Sequence, residues 1–201
     1  MGENCRVSAG GSGKYQPAGQ PSGGKSSEVR MADRPAWNDD LFLHAWWADT
    51  EGCLLAGEYP GHHNDAQATR KKLELLAAAG IGTIIDLTDS NDRLAPYHEH
   101  LPAIAAPRNV TMRRLSHPIP DVGVTTPGCY DQIVSDIERS LADGQKVYIH
   151  CWGGVGRTGT VVGCWHAYRG LSADEALDQI TAARSGTRKA HRAAPETDRQ
   201  I

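Results

Sequence analysis

The sequence predicts an α/β domain in which a central, mostly parallel β-sheet is flanked by α-helices. Short apolar runs of β type alternate along the chain with segments whose apolar residues recur at helical spacing. One of these runs, residues 147–149, passes through a glycine-rich turn into the helix-like segment 159–168. Because ligands of such sheets bind outside the carboxyl ends of the strands, we expect the functional site in this turn.

The overall composition predicts a soluble, monomeric protein of the cytoplasm. Its 201 residues suit one domain with a buried core, and its formal net charge of −3 does not favour nucleic acid or an anionic membrane as a partner. The five cysteines show no CxxC spacing, which favours free thiols in a reducing compartment. No apolar run reaches the roughly 18 residues of a membrane span, and the N-terminus lacks the apolar core of a signal peptide.

The N-terminal segment differs in composition from the rest of the chain. Residues 1–36 are rich in Gly, Ser, Pro and charged residues and lack apolar periodicity, which predicts a disordered extension. Residues 19–26 formally match the G-x-x-x-x-G-K-[ST] nucleotide-binding pattern, but no apolar strand precedes them and no amphipathic helix follows, so we interpret them as linker. The predicted folded domain covers residues 37–201.

The first half of this domain contains strand and helix signals in alternation. Residues 53–61 predict a short strand that ends at a Pro-Gly turn. A helix should follow, with Asn64 or Asp65 as its N-cap and Gly80 as its end. Residues 81–87 and 110–115 predict two further strands.

The second half predicts three helices. Thr126 and Pro127 form an N-cap and first-position pair that opens a helix with a continuous apolar face. Residues 159–168 predict the central helix that follows the glycine-rich turn. Ser172 and Glu175 have the spacing of a capping box that opens the last helix.

The junction of the strand, the glycine-rich turn and the central helix has the properties of an anion site. Successive backbone N–H groups and the dipole of the helix converge there. Cys151 lies at the mouth of the turn, where this field favours a thiolate, and Arg157 supplies a planar fork suited to two phosphate oxygens. A nucleophile aimed at an oxyanion cradle indicates attack on phosphorus. A buried structural cysteine is the alternative, but it would leave Arg157 unexplained.

The segment HCWGGVGRTG, from His150 to Gly159, resembles the active-site loop of the protein tyrosine phosphatase superfamily. It is most similar to the loop of dual-specificity and kinase-associated phosphatases and their small bacterial relatives. The resemblance implies a cysteine phosphatase fold, with a phosphate-binding loop between a strand and a helix, and no metal or other cofactor. It also implies that Cys151 forms a phosphocysteine intermediate while Arg157 binds phosphate and stabilises the transition state. The loop residues between them would bind substrate: Trp152, Gly153, Gly154, Val155 and Gly156.

The resemblance extends to residues outside this loop. Asp121 follows a proline where the family has its general-acid loop, so we expect Asp121 to protonate the leaving group and then to activate water. Thr158 resembles the hydroxyl that hydrogen-bonds the departing thiolate, and we expect His150 to orient the loop. Gln200 lies in a C-terminal segment that resembles the family's and is a candidate for positioning the attacking water. Three further aspartates are reserve candidates for the acid: Asp86, Asp89 and Asp92.

The loop also indicates a substrate class. None of its variable residues is basic, whereas phosphoinositide phosphatases of the superfamily tend to carry lysine there. We therefore expect a phosphorylated protein or peptide with one phosphate, or a small aryl phosphate, and we favour dual specificity over strict phosphotyrosine specificity. Phosphate and vanadate-type oxyanions should bind the same loop.

Several alternatives stay open at this point. The chain could be a catalytically inactive phosphate-binding module, or a phosphatase that acts on phosphoinositides or small molecules. A redox enzyme or sulfurtransferase built on the same reactive cysteine is a further alternative. Disulfide chemistry would need a second cysteine near Cys151, for which Cys53 and Cys164 are the candidates. The histidine pairs at 62–63 and at 98 and 100 suggest a metal site, but they lack matching Cys or carboxylate spacing, so we predict no metal.

Overall fold

The computed structural model describes residues 44–201, so the predicted N-terminal extension, with its nucleotide-binding-like pattern, lies outside the described residues. The described chain forms five strands: β1 (Ala45–Trp47), β2 (Leu54–Gly57), β3 (Ile81–Asp86), β4 (Arg113–Ser116) and β5 (Lys146–His150). It forms five α-helices: α1 (Ala66–Ala78), α2 (Leu101–Ala105), α3 (Pro127–Ala142), α4 (Gly156–Tyr168) and α5 (Ala173–Arg184). None of the helices in this range is long and apolar enough to cross a membrane.

The five strands form one sheet in the order β1-β2-β5-β3-β4. β1 pairs antiparallel with β2, and the other three pairings are parallel. The predicted α/β architecture with a mostly parallel sheet is therefore confirmed. Because parallel strands end at the same edge, the last residues of four strands lie together there: Gly57, Asp86, Ser116 and His150.

Helices cover both faces of the sheet. Because side chains of a strand alternate between faces, Val147 and Ile149 of β5 pack into one apolar core and Tyr148 into the other. The first core is completed by α3, α4 and α5, through residues such as Ile137 and Trp165. The second is completed by α1 and α2. Buried β5 is thereby fixed at the centre of the molecule, with the glycine-rich turn at its end.

The predicted N-caps of three helices, α1, α3 and α5, are confirmed. The Asp65 side chain accepts hydrogen bonds from two backbone N–H groups of α1. Thr126 caps α3 by accepting from the N–H of Cys129. Ser172 and Glu175 form both hydrogen bonds of a capping box at α5. These signals are local in the chain, which is why the sequence reveals them.

The structure also differs from the predictions. The short elements β1 and α2 were not predicted, because three and five residues are too few to show a period. β4 begins at Arg113 rather than at residue 110, since Asn109 adopts a left-handed conformation that ends the preceding turn. Helix α4 begins at Gly156, three residues earlier than predicted, so its first turn is part of the glycine-rich loop.

Candidate active site

The glycine-rich loop between β5 and α4 wraps around the Cys151 sulfur. Cys151 is 3% exposed, and its Sγ accepts a hydrogen bond of 3.3 Å from the backbone N–H of Gly154. Gly154 has a φ of +69°, and a Cβ at this position would lie 2.4 Å from the carbonyl carbon of Gly57 at the end of β2. Only glycine allows this approach, so the loop is packed directly against the sheet edge.

His44 fixes the same loop from the other side. Its Nε2 lies 3.0 Å from the carbonyl oxygen of Gly154, and because a carbonyl can only accept, Nε2 carries the hydrogen. The side chain is fully buried, and burial lowers the pKa of His44 to about 3. His44 is therefore neutral at neutral pH and acts as a hydrogen-bond donor to the loop. The sequence gives no signal for this contact.

Arg157, in the first turn of α4, is held by two carboxylates. Its Nη1 and Nη2 donate to the two oxygens of Asp92 at 2.7 and 2.9 Å, and Nη2 also lies 2.9 Å from Oδ1 of Asp121. Nη1 further contacts the carbonyl oxygens of Leu87 and Ile119. Burial opposes the charge, but these carboxylates and Cys151 raise the pKa of Arg157 above its usual value. The guanidinium is therefore fixed and charged.

The carboxylates of the three reserve candidates, Asp86, Asp89 and Asp92, are held in contacts with other groups of the protein. Asp92 is paired with Arg157, and both side chains are 1% exposed. Asp86 accepts from Arg114 at 2.7 Å and from Thr88, and Asp89 caps the short 3-10 turn Ser90–Asp92. The structure thus corrects the interpretation of these aspartates as spare acids, because their carboxylates are engaged in structural contacts.

Asp121 differs from these aspartates in being accessible. Its side chain is 54% exposed while its Oδ1 contacts Arg157. It lies in a tight turn in which Gly123 N–H donates to the Pro120 carbonyl at 3.0 Å, and Val122 takes the left-handed φ of +49°. The sequence-predicted acid is therefore brought next to the sequence-predicted arginine, at the opening of the loop.

Gln200 connects the C-terminal segment to the Asp121 turn. Its Nε2 donates to the Gly123 carbonyl at 3.1 Å, and its Oε1 accepts from the backbone N–H of Glu196. Its backbone oxygen accepts from the hydroxyl of Thr160 on α4. A Cβ on Gly156 would meet the Gln200 amide at 2.9 Å, which places this buried side chain against the end of the glycine-rich loop.

Thr158 and His150 complete the predicted set. The buried hydroxyl of Thr158 makes no hydrogen bond, so the expected bond to Cys151 is not formed in this structure. His150 is fully buried, with Nδ1 at 3.2 Å from the Cys151 carbonyl oxygen and Nε2 at 2.8 Å from the hydroxyl of Tyr97. Burial lowers the pKa of His150, against the attraction of Asp86. No pattern in the sequence indicates this contact of Tyr97 with His150.

A cavity of about 460 Å³ opens beside the loop. Asp121 and Trp152 both line it, and Trp152 is 56% exposed. The basic side chains in its wall have acidic partners: Nζ of Lys189 lies 3.0 Å from Glu58, and Nζ of Lys72 lies 3.9 Å from the same carboxylate. The wall of this space therefore combines apolar surface, two lysines that share the Glu58 carboxylate, and the exposed His62 and His63.

Among the residues behind the open alternatives, His62 and His63 line this cavity. Cys164 carries a free thiol on α4, and burial raises its pKa. His62, His63 and His98 are exposed. Within residues 44–201, no group of three or more His, Cys, Asp or Glu side chains is placed to hold a metal ion.

Comparison with known families gives a match over most of the chain. The sequence model of the family described as "Swiss Army Knife protein, DSP-PTPase phosphatase domain" matches residues 62–200. This range contains every catalytic residue that the sequence predicts.

Solved structures and curated proteins give further similarities. The structure of Tk-PTP in its active form has a TM-score of 0.60 and 29% identity, and the similarity covers 78% of this chain and 90% of that chain. Kinase associated phosphatase, with its catalytic-site cysteine replaced by serine, shares the fold with a TM-score of 0.56 at 19% identity, over 78% of this chain and 88% of that chain. Cyclin-dependent kinase inhibitor 3 of Rattus norvegicus is 35% identical over 66 residues, which make up 32% of this chain and 31% of the relative. The chain spans about a third of the length of the curated relatives it matches.

Proposed function

Because this chain belongs to the DSP-type phosphatase domains of the protein tyrosine phosphatase superfamily, we propose that it hydrolyses phosphotyrosine, and also phosphoserine and phosphothreonine, in proteins through a phosphocysteine intermediate. The observation that carries the proposal is the convergence of Cys151, Arg157 and Asp121 on one loop. Arg157 contacts Asp121 directly, and the charge of Cys151 contributes to the raised pKa of Arg157.

In the first step the Cys151 thiolate attacks phosphorus. The Gly154 N–H already points at Sγ from 3.3 Å, and we propose that this and the other N–H groups of residues 152–157 bind the phosphate oxygens. Two of these oxygens would accept from the other edge of the Arg157 guanidinium: from Nε, whose hydrogen has no partner, and from the Nη2 hydrogen that now faces Asp121. The pairing of Nη1 and Nη2 with Asp92 removes the cost of orienting this edge. The sulfur–phosphorus bond forms as the bond from phosphorus to the leaving oxygen breaks.

Asp121 supplies the proton for the leaving oxygen. A phosphate dianion bound to Arg157 places negative charge beside Asp121, which favours the protonated carboxyl. After the proton has moved, the Asp121 carboxylate takes a proton from the water that hydrolyses the phosphocysteine. The exposure of Asp121 supports both roles, because the leaving group and the water must each reach it.

The remaining residues act through these three. Thr158 has a hydroxyl without a partner, which is available to donate to the departing thiolate of Cys151. His150 holds the loop through the Cys151 carbonyl, and Gln200 orients the attacking water while it holds the Asp121 turn. The reaction needs no metal, since the loop and Arg157 supply the positive field.

Hydrolysis of p-nitrophenyl phosphate in the presence of EDTA, from about pH 5 to about pH 8, tests the proposal. We expect Cys151→Ser to abolish activity and Asp121→Asn to reduce it strongly. Cys164→Ser, which changes a free thiol on α4 instead of the one in the loop, should retain it. Activity that survives in Cys151→Ser, or that requires an added divalent ion, would contradict the mechanism. An inactive wild type whose Cys151 is protected from alkylation by phosphate would indicate a binding module.

A further inference from the structure

One peptide group of the glycine-rich loop is held at both of its polar atoms. The N–H of Gly154 points at the Cys151 sulfur from 3.3 Å. The carbonyl oxygen of Gly153, which belongs to the same peptide group, accepts a hydrogen bond of 2.8 Å from Nζ of Lys189. Because this peptide is trans, its C=O and N–H bonds point in opposite directions. A contact that holds the oxygen outside the loop therefore also directs the N–H toward the sulfur inside it.

The residues on either side of this peptide group do not fix its orientation by themselves. Both are glycine, so no Cβ restricts the rotation of the peptide plane between them. The buried His44 contacts the loop at the carbonyl oxygen of Gly154, which belongs to the next peptide group. The orientation of the Gly153–Gly154 peptide therefore depends on what holds the Gly153 oxygen.

Lys189 is itself fixed at both ends. Its ammonium group lies 3.0 Å from Oε2 of Glu58, and the two side chains are only 17% and 15% exposed. Its backbone carbonyl accepts a hydrogen bond of 2.8 Å from Nη2 of Arg184, whose Nη1 donates to the Arg192 carbonyl at 2.8 Å. Arg184 is a buried residue of α5, so the turn after this helix is fixed to the core. A donor held in this way loses little further freedom when the loop binds a ligand.

The charge of Lys189 adds to the effect of its geometry. A hydrogen bond from an ammonium group is stronger than one between neutral groups, and it polarises the peptide that accepts it. The N–H on the opposite side of that peptide thereby becomes a stronger donor. In the proposed reaction this N–H faces the thiolate before the attack and a phosphate oxygen after it. The ammonium group already donates to Gly153 and to Glu58, which directs it at the loop rather than at the substrate.

We propose that Lys189 is a positioning residue of the phosphate-binding loop, which turns the Gly153–Gly154 peptide so that its N–H serves the Cys151 thiolate and the bound phosphate. The proposal rests on the proposed function, because this N–H contributes to catalysis only if phosphate binds in the loop. Lys189 acts through the peptide and does not contact the phosphate. No spacing in the sequence indicates this role, since Lys189 lies 36 positions from Gly153.

The test compares wild type with Lys189→Met, which keeps the unbranched apolar stem of the side chain but removes its charge and its donors. We expect kcat/KM for p-nitrophenyl phosphate to fall about tenfold, which is less than the loss of about 100-fold or more that follows removal of a whole oxyanion donor. The inhibition constant for inorganic phosphate should rise by a similar factor, because the same N–H binds a phosphate oxygen. Lys189→Arg, which restores a charged donor, should recover most of both losses. Arg188→Met changes an exposed side chain of the same turn and should match wild type.

Two other roles for Lys189 would give different results. If Lys189 only held the turn after α5, Lys189→Met would lower the free energy of unfolding in urea and leave the inhibition constant for phosphate unchanged. If it bound an acidic group of the substrate, the loss would appear with an acidic phosphopeptide and not with p-nitrophenyl phosphate. Either result would overturn the positioning role while the phosphatase stands.

An inactive wild type would overturn the proposed function and would move the readout to the protection of Cys151 by phosphate. Mass spectrometry of the Cys151 peptide after treatment with iodoacetamide measures this protection. The phosphate concentration that halves the alkylation should then be about tenfold higher in Lys189→Met than in wild type. Equal concentrations in the two proteins, or no protection in either, would overturn the positioning role as well.

Discussion

Asp92 binds the guanidinium of Arg157 through two hydrogen bonds, from Nη1 to Oδ2 at 2.7 Å and from Nη2 to Oδ1 at 2.9 Å. Both side chains are 1% exposed, so solvent does not compete for the contact. A bidentate pair of this kind fixes the plane of the guanidinium as well as its position. The other edge of the guanidinium, which carries the partnerless Nε, is therefore oriented by the fold itself.

Replacing Asp92 by asparagine should lower kcat/KM for p-nitrophenyl phosphate about 10- to 100-fold, or about 1.4 to 2.8 kcal/mol of transition-state stabilisation. Asparagine fits the space but loses the charge and one of the two acceptors, so Arg157 is held less firmly. Asp89→Asn is the matched control, because Asp89 lies in the same turn, caps it and makes no contact with Arg157. If Asp92→Asn had the same kcat/KM as Asp89→Asn, an orienting role for Asp92 would be refuted.

Gln200→Ala should lower kcat about tenfold, because the side-chain amide holds the turn that carries Asp121 through the Gly123 carbonyl. Inhibition by inorganic phosphate should change little, since Arg157 and the loop stay in place. Steady-state kinetics with phosphate as inhibitor measures both quantities. Gln132→Ala, on the exposed face of α3, is the control. A Gln200→Ala enzyme with the kcat of wild type would show that the C-terminal segment does not serve the turn.

Tyr97→Phe should lower the free energy of unfolding by about 1–3 kcal/mol, because it leaves Nε2 of the buried His150 without its 2.8 Å partner. The aromatic ring and its packing remain, so the change isolates the hydroxyl. Urea denaturation of wild type and variant gives the difference. Tyr168→Phe, which changes an exposed tyrosine, should leave stability within about 0.5 kcal/mol of wild type, and a similarly small effect for Tyr97→Phe would contradict the proposed anchoring of His150.

The sequence predicts best what is local in the chain. Helix caps depend on residues three positions apart, and Cys151 and Arg157 lie on one loop between β5 and α4. Asp92, in contrast, lies 65 positions from Arg157, Tyr97 lies 53 from His150, and His44 lies 110 from Gly154. Only the packing of the sheet brings these side chains to the loop, and none of them has a spacing that marks its role.

His44 should make the protein less stable in mild acid. Its folded pKa of about 3 lies below the value of 6.5 for an unburied histidine, so the unfolded chain takes up the proton first as the pH falls. The contribution of His44 to the free energy of unfolding is therefore complete above pH 6.5 and is lost progressively as the pH falls toward 3. Between about pH 7.5 and about pH 4.5 the loss amounts to about 2.7 kcal/mol.

The variant His44→Gln keeps a donor for the Gly154 carbonyl but does not titrate. Its free energy of unfolding, measured with urea at both pH values, should therefore fall by about 2.7 kcal/mol less than that of wild type. Carboxylates titrate in both proteins and cancel in the comparison. Identical pH dependence in the two proteins would mean that His44 accepts a proton in the folded state.

The phosphocysteine intermediate is the central claim, and rapid acid quenching of Asp121→Asn during turnover of p-nitrophenyl phosphate tests it most directly. This leaving group departs without a proton, whereas hydrolysis of the intermediate still needs the Asp121 base, so the intermediate should accumulate. Mass spectrometry of the digested protein should then find a phosphoryl group on Cys151, and none in the Cys151→Ser control. Turnover with Cys151 unmodified, or with the phosphoryl group on another residue, would contradict the mechanism.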